Sequence, residues 1–223
     1  MLAPIIVLEG LDACGKSTQT ELLLENLKEK NISVGWKRFP GYEITPAGRR
    51  IAAYLRGELG DFHDIDPKMI ASLYASDRLQ QSDEVEALRR EHDVVVFDRG
   101  VTSNLIYTPA RAESPEVNDE LAQFVEKLEY DVFGFPRESL VLFLDASFEA
   151  RAKIHEAKGR TADLHEADET YLKKVRVVAL NRCDTDFRWQ RLMVDRNGEL
   201  RRRDEIAEDI LGLVLAKLQI KSG

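Results

Sequence analysis

The segment GLDACGKST, Gly10 to Thr18, follows the apolar run PIIVLE without a spacer. It fits G-x-x-x-x-G-K-[ST] at every fixed position, with Gly10, Gly15, Lys16 and Ser17 in register. The spacing has a physical reason. Glycines let the backbone curl until successive N–H groups converge on phosphate oxygens, and the N-terminus of the following helix adds the positive end of its dipole. Lys16 supplies a point charge and the Ser17 hydroxyl a ligand for Mg²⁺. The loop is therefore expected to hold the β- and γ-phosphates of a nucleoside triphosphate, and its strand-loop-helix setting constrains the chain to an α/β fold.

The remaining pattern agrees. After PIIVLE, the stretch KSTQTELLLENLKEK reads as a helix and ISVGWKRF as a second strand. ITPAGRRIAAYLRGE reads as a helix, and PKMIASLYASDRLQQSDEVEALRR as another, uninterrupted one. VVVFD and LVLFLDA are continuous apolar strands of the kind buried on both faces in parallel sheets, and RLMVD is a last strand. Asn197-Gly198 signals a tight turn pairing two short strands, and RDEIAEDILGLVLAKL closes the chain as an amphipathic helix. Strands alternating with helices place ligands at the carboxyl ends of the strands. The glycine loop and the segment DRG at Asp98 both fall there and should face one crevice.

The Asp98 carboxylate, just past a buried strand, can hold Mg²⁺ directly or through water, while the Arg99 guanidinium can bind a phosphate bidentately. A GTPase switch would more usually present D-x-x-G at this strand end, where the chain reads Asp98-Arg99-Gly100-Val101, and the guanine-reading N-K-x-D is nowhere in the sequence, which demotes a signalling GTPase. The net charge of -8 argues against a nucleic-acid partner. No apolar run approaches the roughly 18 residues that span a bilayer, so no membrane partner is expected. Two cysteines, Cys14 and Cys183, give no disulfide framework; with no basic leader ahead of the first strand, a cytoplasmic location is expected. The four histidines show no metal-ligand spacing with them, and His63, His92, His155 and His165 read as surface or lid residues.

EGLDACGKSTQ at Glu9, FPGYEITPAG at Phe39, LYASDRLQ at Leu73, VVVFDRGVTSNLIY at Val94 and FLDASFEARAKIHEAKGR at Phe143 together resemble the thymidylate kinases, nucleoside monophosphate kinases that phosphorylate dTMP with ATP. The resemblance thins out after about Arg176. It implies a P-loop NTPase-type three-layer sandwich, a parallel five-stranded sheet flanked by helices, in one domain over residues 1–223 with a lid at about 149–168. It also implies a homodimer.

The resemblance assigns residues as well. Gly10, Asp12, Ala13, Cys14, Gly15, Lys16, Ser17 and Thr18 fall to the triphosphate, with Ser17 and Asp98 toward Mg²⁺. Phe39 falls among the substrate-binding residues, and Asp12 near the sugar 3′-hydroxyl of dTMP. Tyr74 stands against the thymine, Arg78 donates to its O4, and Arg99 binds the dTMP phosphate. Asn104 and Tyr107 lie near the base edge and the deoxyribose. Alone, Tyr74 and Tyr107 read equally as core aromatics and Arg78 as a solvated surface cation.

Ala13 stands where some members carry a loop arginine. The transition-state cation then falls to the lid, to Arg151, Lys153, Lys158 or Arg160, beside the catalytic Lys16 and Arg99. The arginine often found shortly after the family's Phe-Pro pair is replaced by Gly41 and Tyr42, leaving Arg38, Arg49 or Arg50 as substitutes. The lid's usual Asp-Arg pair reads Asp163-Leu164. Alternative readings are a kinase of the same fold acting on another deoxynucleotide or a nucleoside, and a non-catalytic nucleotide-binding switch.

Overall fold

The computed structural model describes residues 2–61, 64–158, 168–196 and 198–219, with the backbone alone at 155–158. Five strands, β1 (Ile5–Glu9), β2 (Val34–Arg38), β3 (Val94–Asp98), β4 (Leu140–Asp145) and β5 (Trp189–Met193), form a parallel sheet in the order β2-β3-β1-β4-β5. Ile5 pairs with Val95 and Ile6 with Leu140, so β1 lies at the centre with neighbours on both sides.

Strand periodicity splits the core into two layers. Ile5 and Val7 of β1 point to one face, where they join Val95, Phe97, Leu105, Val125 and Val175. Ile6 and Leu8 point to the other, where Leu23 and Leu27 of α1 (Lys16–Glu29) meet Ile210 and Val214 of α9 (Arg203–Lys217). Both faces are covered, which is why β1, β3 and β4 read as unbroken apolar runs. From β1 the chain crosses to β2 and β3 on one side, then to β4 and β5 on the other. The crevice of this switch opens at the carboxyl end of β1, where Gly10 begins.

The face of Ile5 and Val7 is covered by α2 (Pro46–Leu55), α3 (Pro67–Leu79), α4 (Ser82–Glu91), α5 (Val101–Tyr107), α6 (Pro115–Glu126) and α8 (Glu169–Thr185); α7 (Phe148–Lys158) follows β4. Asp195–Arg196 and Glu199–Leu200 form the antiparallel pair β6 and β7 expected at the Asn-Gly turn, although Asn197 itself lies outside the described residues.

Two expectations change. The helix read as continuous from Pro67 to Arg90 breaks at Gln80 and Gln81, where Ser82, Asp83 and Glu84 open α4 with an acidic first turn suited to a helix N-terminus. No glycine or proline marks the break. His92, expected at the surface, is half-buried, its Nδ1 enclosed without a hydrogen-bond partner among the described residues.

A buried acid pins the loop between β2 and α2. Asp77 of α3 accepts from the Gly41 N–H at 3.0 Å and from the Thr45 hydroxyl, and Thr45 Oγ1 caps α2 by accepting from the Gly48 N–H at 2.7 Å. The packing leaves no room at Gly48, where a Cβ would stand 1.9 Å from the Gly41 carbonyl oxygen. Gly48→Ala should therefore destabilise the protein by about 3 kcal/mol, measured by denaturant titration, and a cost under about 1 kcal/mol would mean the loop moves freely.

Glu138, buried ahead of β4, accepts from the Tyr130 hydroxyl at 2.7 Å, while its Oε1 has no hydrogen-bond partner among the described residues. Burial raises its pKa against the lowering contributed by that hydroxyl. An acid raised in the folded state contributes stability below its unfolded pKa and loses it as pH rises through the folded one. Glu138→Gln stays neutral throughout, so its stability relative to the parent should climb as the pH rises above about 4, the unfolded carboxyl range. Parallel thermal melts at rising pH check this; a pH-independent difference would contradict it.

Candidate active site

The phosphate loop is shaped by backbone conformations that few residues adopt. Gly15 has φ of 91° and Ala13 of 58°, both left-handed. At Gly10 a Cβ would stand 2.7 Å from Cys14 Sγ and from the Leu144 carbonyl oxygen, so only glycine lets β1 turn into the loop beside β4. Lys16 is buried, and its ammonium donates to the carbonyls of Gly10 and Leu11 at 2.8 and 2.9 Å. Ser17 and Thr18 follow in the first turn of α1, half-buried.

The carboxyl end of β1 joins this loop to the turn after β3. Glu9, fully buried, accepts from the Gly10 N–H at 2.9 Å, Arg99 Nη1 at 3.1 Å, the Thr102 hydroxyl at 2.6 Å and the Ser103 hydroxyl at 2.7 Å. Arg99 also donates through Nη2 to Asp12 Oδ1 at 2.8 Å and lies over the Tyr107 ring at 5.5 Å. Burial opposes the Arg99 charge, but the carboxylates of Asp12, Glu9 and Asp98 outweigh it and hold the pKa well above the ordinary value. Arg99 has φ of 66°, a strained conformation for a non-glycine residue that aims its side chain back across the end of the sheet. Burial raises the Tyr107 phenol, which stays protonated.

Asp98 is buried, with Arg38 Nε 3.3 Å from Oδ2 and no hydrogen-bond partner for Oδ1 among the described residues. A carboxylate oxygen enclosed without a donor suits a divalent cation, and with the Ser17 hydroxyl at the start of α1 it gives a donor set of oxygens that fits Mg²⁺.

A cleft opens beside the loop, and Asp12, Phe39, Tyr74, Arg78, Arg99, Asn104 and Tyr107 all line it. Tyr74 and Arg78 share one face of α3, as their spacing of four requires. Arg78, far from being a solvated cation, is among the most buried side chains, with Nε donating to Glu129 Oε2 at 2.9 Å and Nη2 bonded to Oε1.

Glu129 was not legible as a site residue. It sits on a π-helical turn, Lys127–Val132, that widens the end of α6 and carries the acid into the core beneath the cleft. Tyr54, Arg111 and Tyr171 also line the cleft without having been expected there, Tyr171 through a hydroxyl that donates to the Tyr107 carbonyl at 2.7 Å. No local motif announces any of the four.

The lid cations separate. Arg151, in the first turn of α7, is buried and donates through Nε to the Asp12 carbonyl at 2.8 Å, which puts its guanidinium against the phosphate loop. Lys153 turns the other way and donates to the Gly198 carbonyl at 2.9 Å. The Lys158 side chain and the whole of Arg160, Asp163, Leu164 and His165 lie outside the described residues, as does the His63 position. Of the suggested substitutes for the missing arginine, Arg38 bridges to Asp98, while Arg49 and Arg50 are exposed and do not line the cleft.

A phosphate loop, a cation reaching it from another helix and an adjoining cleft with its own arginine lie side by side. The thymidylate kinase family model matches residues 8–204. The chain belongs to the thymidylate kinase family. It is 32% identical over 169 residues to a thymidylate kinase of Mycobacterium tuberculosis, covering 74% of this chain and 78% of that one. A probable thymidylate kinase of Pyrococcus abyssi is 29% identical over 216 residues, 96% of each chain. The solved structure of a thymidylate kinase from Candida albicans superposes with a TM-score of 0.76 at 21% identity, covering 100% of this chain and 96% of that one, a likeness of fold.

The two lid positions make a paired test in this thymidylate kinase. Arg151→Ala should lower kcat by about 10²-fold with little change in the KM for dTMP, the signature of a charge needed during transfer. Lys153→Ala should stay within about twofold, because its ammonium is turned to the β6–β7 hairpin. Steady-state kinetics on both decide it; equal effects would mean that the Arg151 contact with Asp12 is incidental.

Proposed function

We infer that this chain is a Mg²⁺-dependent kinase that moves the γ-phosphoryl group of ATP onto dTMP, giving dTDP. The observation that carries the reading is the 2.8 Å bond between Arg99 and Asp12, which makes one wall serve both the phosphate loop and the cleft. The loop N–H groups and Lys16 take the triphosphate, and Arg99 takes the acceptor's phosphate at the common boundary. Little covalent chemistry is asked of the protein; it positions two anions and neutralises charge as it spreads in transit.

In the cleft, Tyr74 supplies a ring for stacking, Arg78 donors for the base edge, and Asn104 a further polar contact. Tyr107 borders the sugar with a neutral phenol, and Asp12 lies near its 3′-hydroxyl. Ser17 and Asp98 hold Mg²⁺, which when bound screens the charge of the triphosphate oxygens. Arg151 supplies the cation absent at Ala13, with Lys158 and Arg160 further along the lid at about 149–168. We also propose one domain over 1–223, a homodimer and a cytoplasmic setting, the last in keeping with two free thiols, Cys14 and Cys183.

Turnover of ATP with a panel of monophosphates tests the assignment. Donors on Arg78 suit the O4 acceptor of thymine or uracil and oppose the N4 amino group of cytosine. One methyl in an apolar pocket is worth about 1–3 kcal/mol, so kcat/KM should fall from dTMP to dUMP, with dCMP far behind. Lys16→Ala should abolish turnover with every acceptor while leaving the thermal melt in place. A preference for dCMP or a purine monophosphate would refute the assignment, and so would near-normal turnover by the lysine variant.

A further inference from the structure

Two groups at the inner end of the cleft can read a base, and both are held by the same buried acid. Glu129 does not line the cleft. Its carboxylate takes Nε and Nη2 of Arg78 and, at 2.8 Å, Nδ2 of Asn104. The pair leaves Nη1 of Arg78 outside the ion pair, on a residue that lines the cleft. A guanidinium has donors only, so what Glu129 decides is where the remaining donors of Arg78 lie.

Asn104 poses a sharper question, because a side-chain amide has nearly the same shape when its oxygen and nitrogen are exchanged. Its neighbours must choose. Nδ2 lies between two acceptors, the Ala71 carbonyl at 3.0 Å and Glu129 Oε1 at 2.8 Å, which use both of its hydrogens. Oδ1 accepts from the Thr108 hydroxyl at 2.8 Å and keeps a second lone pair. Since a hydroxyl can donate or accept, Thr108 would tolerate either orientation. The two acceptors would not, and one of them is Glu129.

We propose that Glu129 is a positioning residue that sets the polarity of base reading: it fixes the place of the Arg78 donors and holds Asn104 as the acceptor, so that the cleft takes a base with a carbonyl oxygen next to a ring N–H. This rests on the reading of the cleft as a pyrimidine monophosphate site. Thymine and uracil present that pattern at O4 and N3–H. Cytosine presents its inverse, an amino group beside a bare ring nitrogen, and an Asn104 amide turned over would suit it. An acid serves better here than an amide because a carboxylate has no donor of its own and enforces one orientation on both neighbours.

The test is kcat/KM for dTMP, dUMP and dCMP on the parent protein and on Glu129→Gln, with the KM for ATP as control. In the variant the glutamine offers one donor and one acceptor, so the dTMP to dCMP preference should fall by about tenfold or more. The dTMP to dUMP ratio should hold, since both bases carry the same pattern, and the KM for ATP should hold as well. Glu129→Asp, which keeps the charge on a shorter arm, should lose less of the preference.

An unchanged dTMP to dCMP ratio in folded Glu129→Gln would overturn the proposal. So would a parallel collapse of both ratios, which would make Glu129 merely structural. If Glu129→Gln yields no folded protein, Glu129→Asp carries the same test: its carboxylate cannot hold both partners at their present distances, and an unchanged ratio there refutes the role. A parent protein that does not prefer dTMP and dUMP to dCMP would instead bring down the pyrimidine reading itself, and this inference with it.

Discussion

The site depends first on the carboxylate of Glu9. Buried without exposure at the end of the central strand, it carries a charge that the interior tolerates only when its lone pairs are met. Four donors meet them: the N–H that begins the phosphate loop, the guanidinium that follows β3, and two hydroxyls from the first turn of α5. Because those donors come from two strand ends and a helix, the acid fixes the loop, the Arg99 turn and α5 against one another. Losing a partner of a buried charge costs about 3–5 kcal/mol, enough to make this geometry the one the folded chain keeps.

The same device recurs on the other walls. Asp77 holds the loop that carries Phe39 and Pro40, through the Gly41 N–H and the Thr45 hydroxyl. Glu129 holds Arg78 and Asn104 on the base side. Three carboxylates with no exposed surface each organise one wall, and none of the three lines the cleft. Rigid walls built this way let the ligand-facing residues be few and polar, which suits a reaction that relies on positioning.

What could be read from the sequence follows from how local each cause is. The first strand, the phosphate loop and α1 are legible together, because glycine conformations and the helix start are encoded within a dozen residues. The buried strands are legible from apolar runs. The break between α3 and α4 is not, since Gln80 and Gln81 continue the helical pattern and the turn depends on Gln81 packing beside Gly41. Glu129 is hidden for a similar reason: KLEYDV gives no sign of a π-helical turn, and its partners lie 51 and 25 positions away. Which of the cations after β4 reaches the phosphate loop was not legible either. Arg151 and Lys153 differ by two positions on a helix, which puts them on different sides, and only the packing says which side meets the phosphate loop.

A chain with a net charge of -8 needs a reason to attract two polyanions, and the reason lies in where its acids are placed. The cations of the site all have protein acceptors: Lys16 has loop carbonyls, Arg99 has Glu9 and Asp12, and Arg151 has the Asp12 carbonyl. A buried cation with acceptors is already desolvated and oriented, so an arriving phosphate exchanges one oxygen for another instead of stripping water from a mobile side chain. Asp12 is the acceptor common to Arg99 and Arg151, through its carboxylate and its carbonyl respectively. On the proposed reading, a monophosphate that draws Arg99 away from the Asp12 carboxylate also disturbs the residue whose carbonyl holds Arg151. Asp12 thus stands between the wall of the cleft and the cation at the phosphate loop.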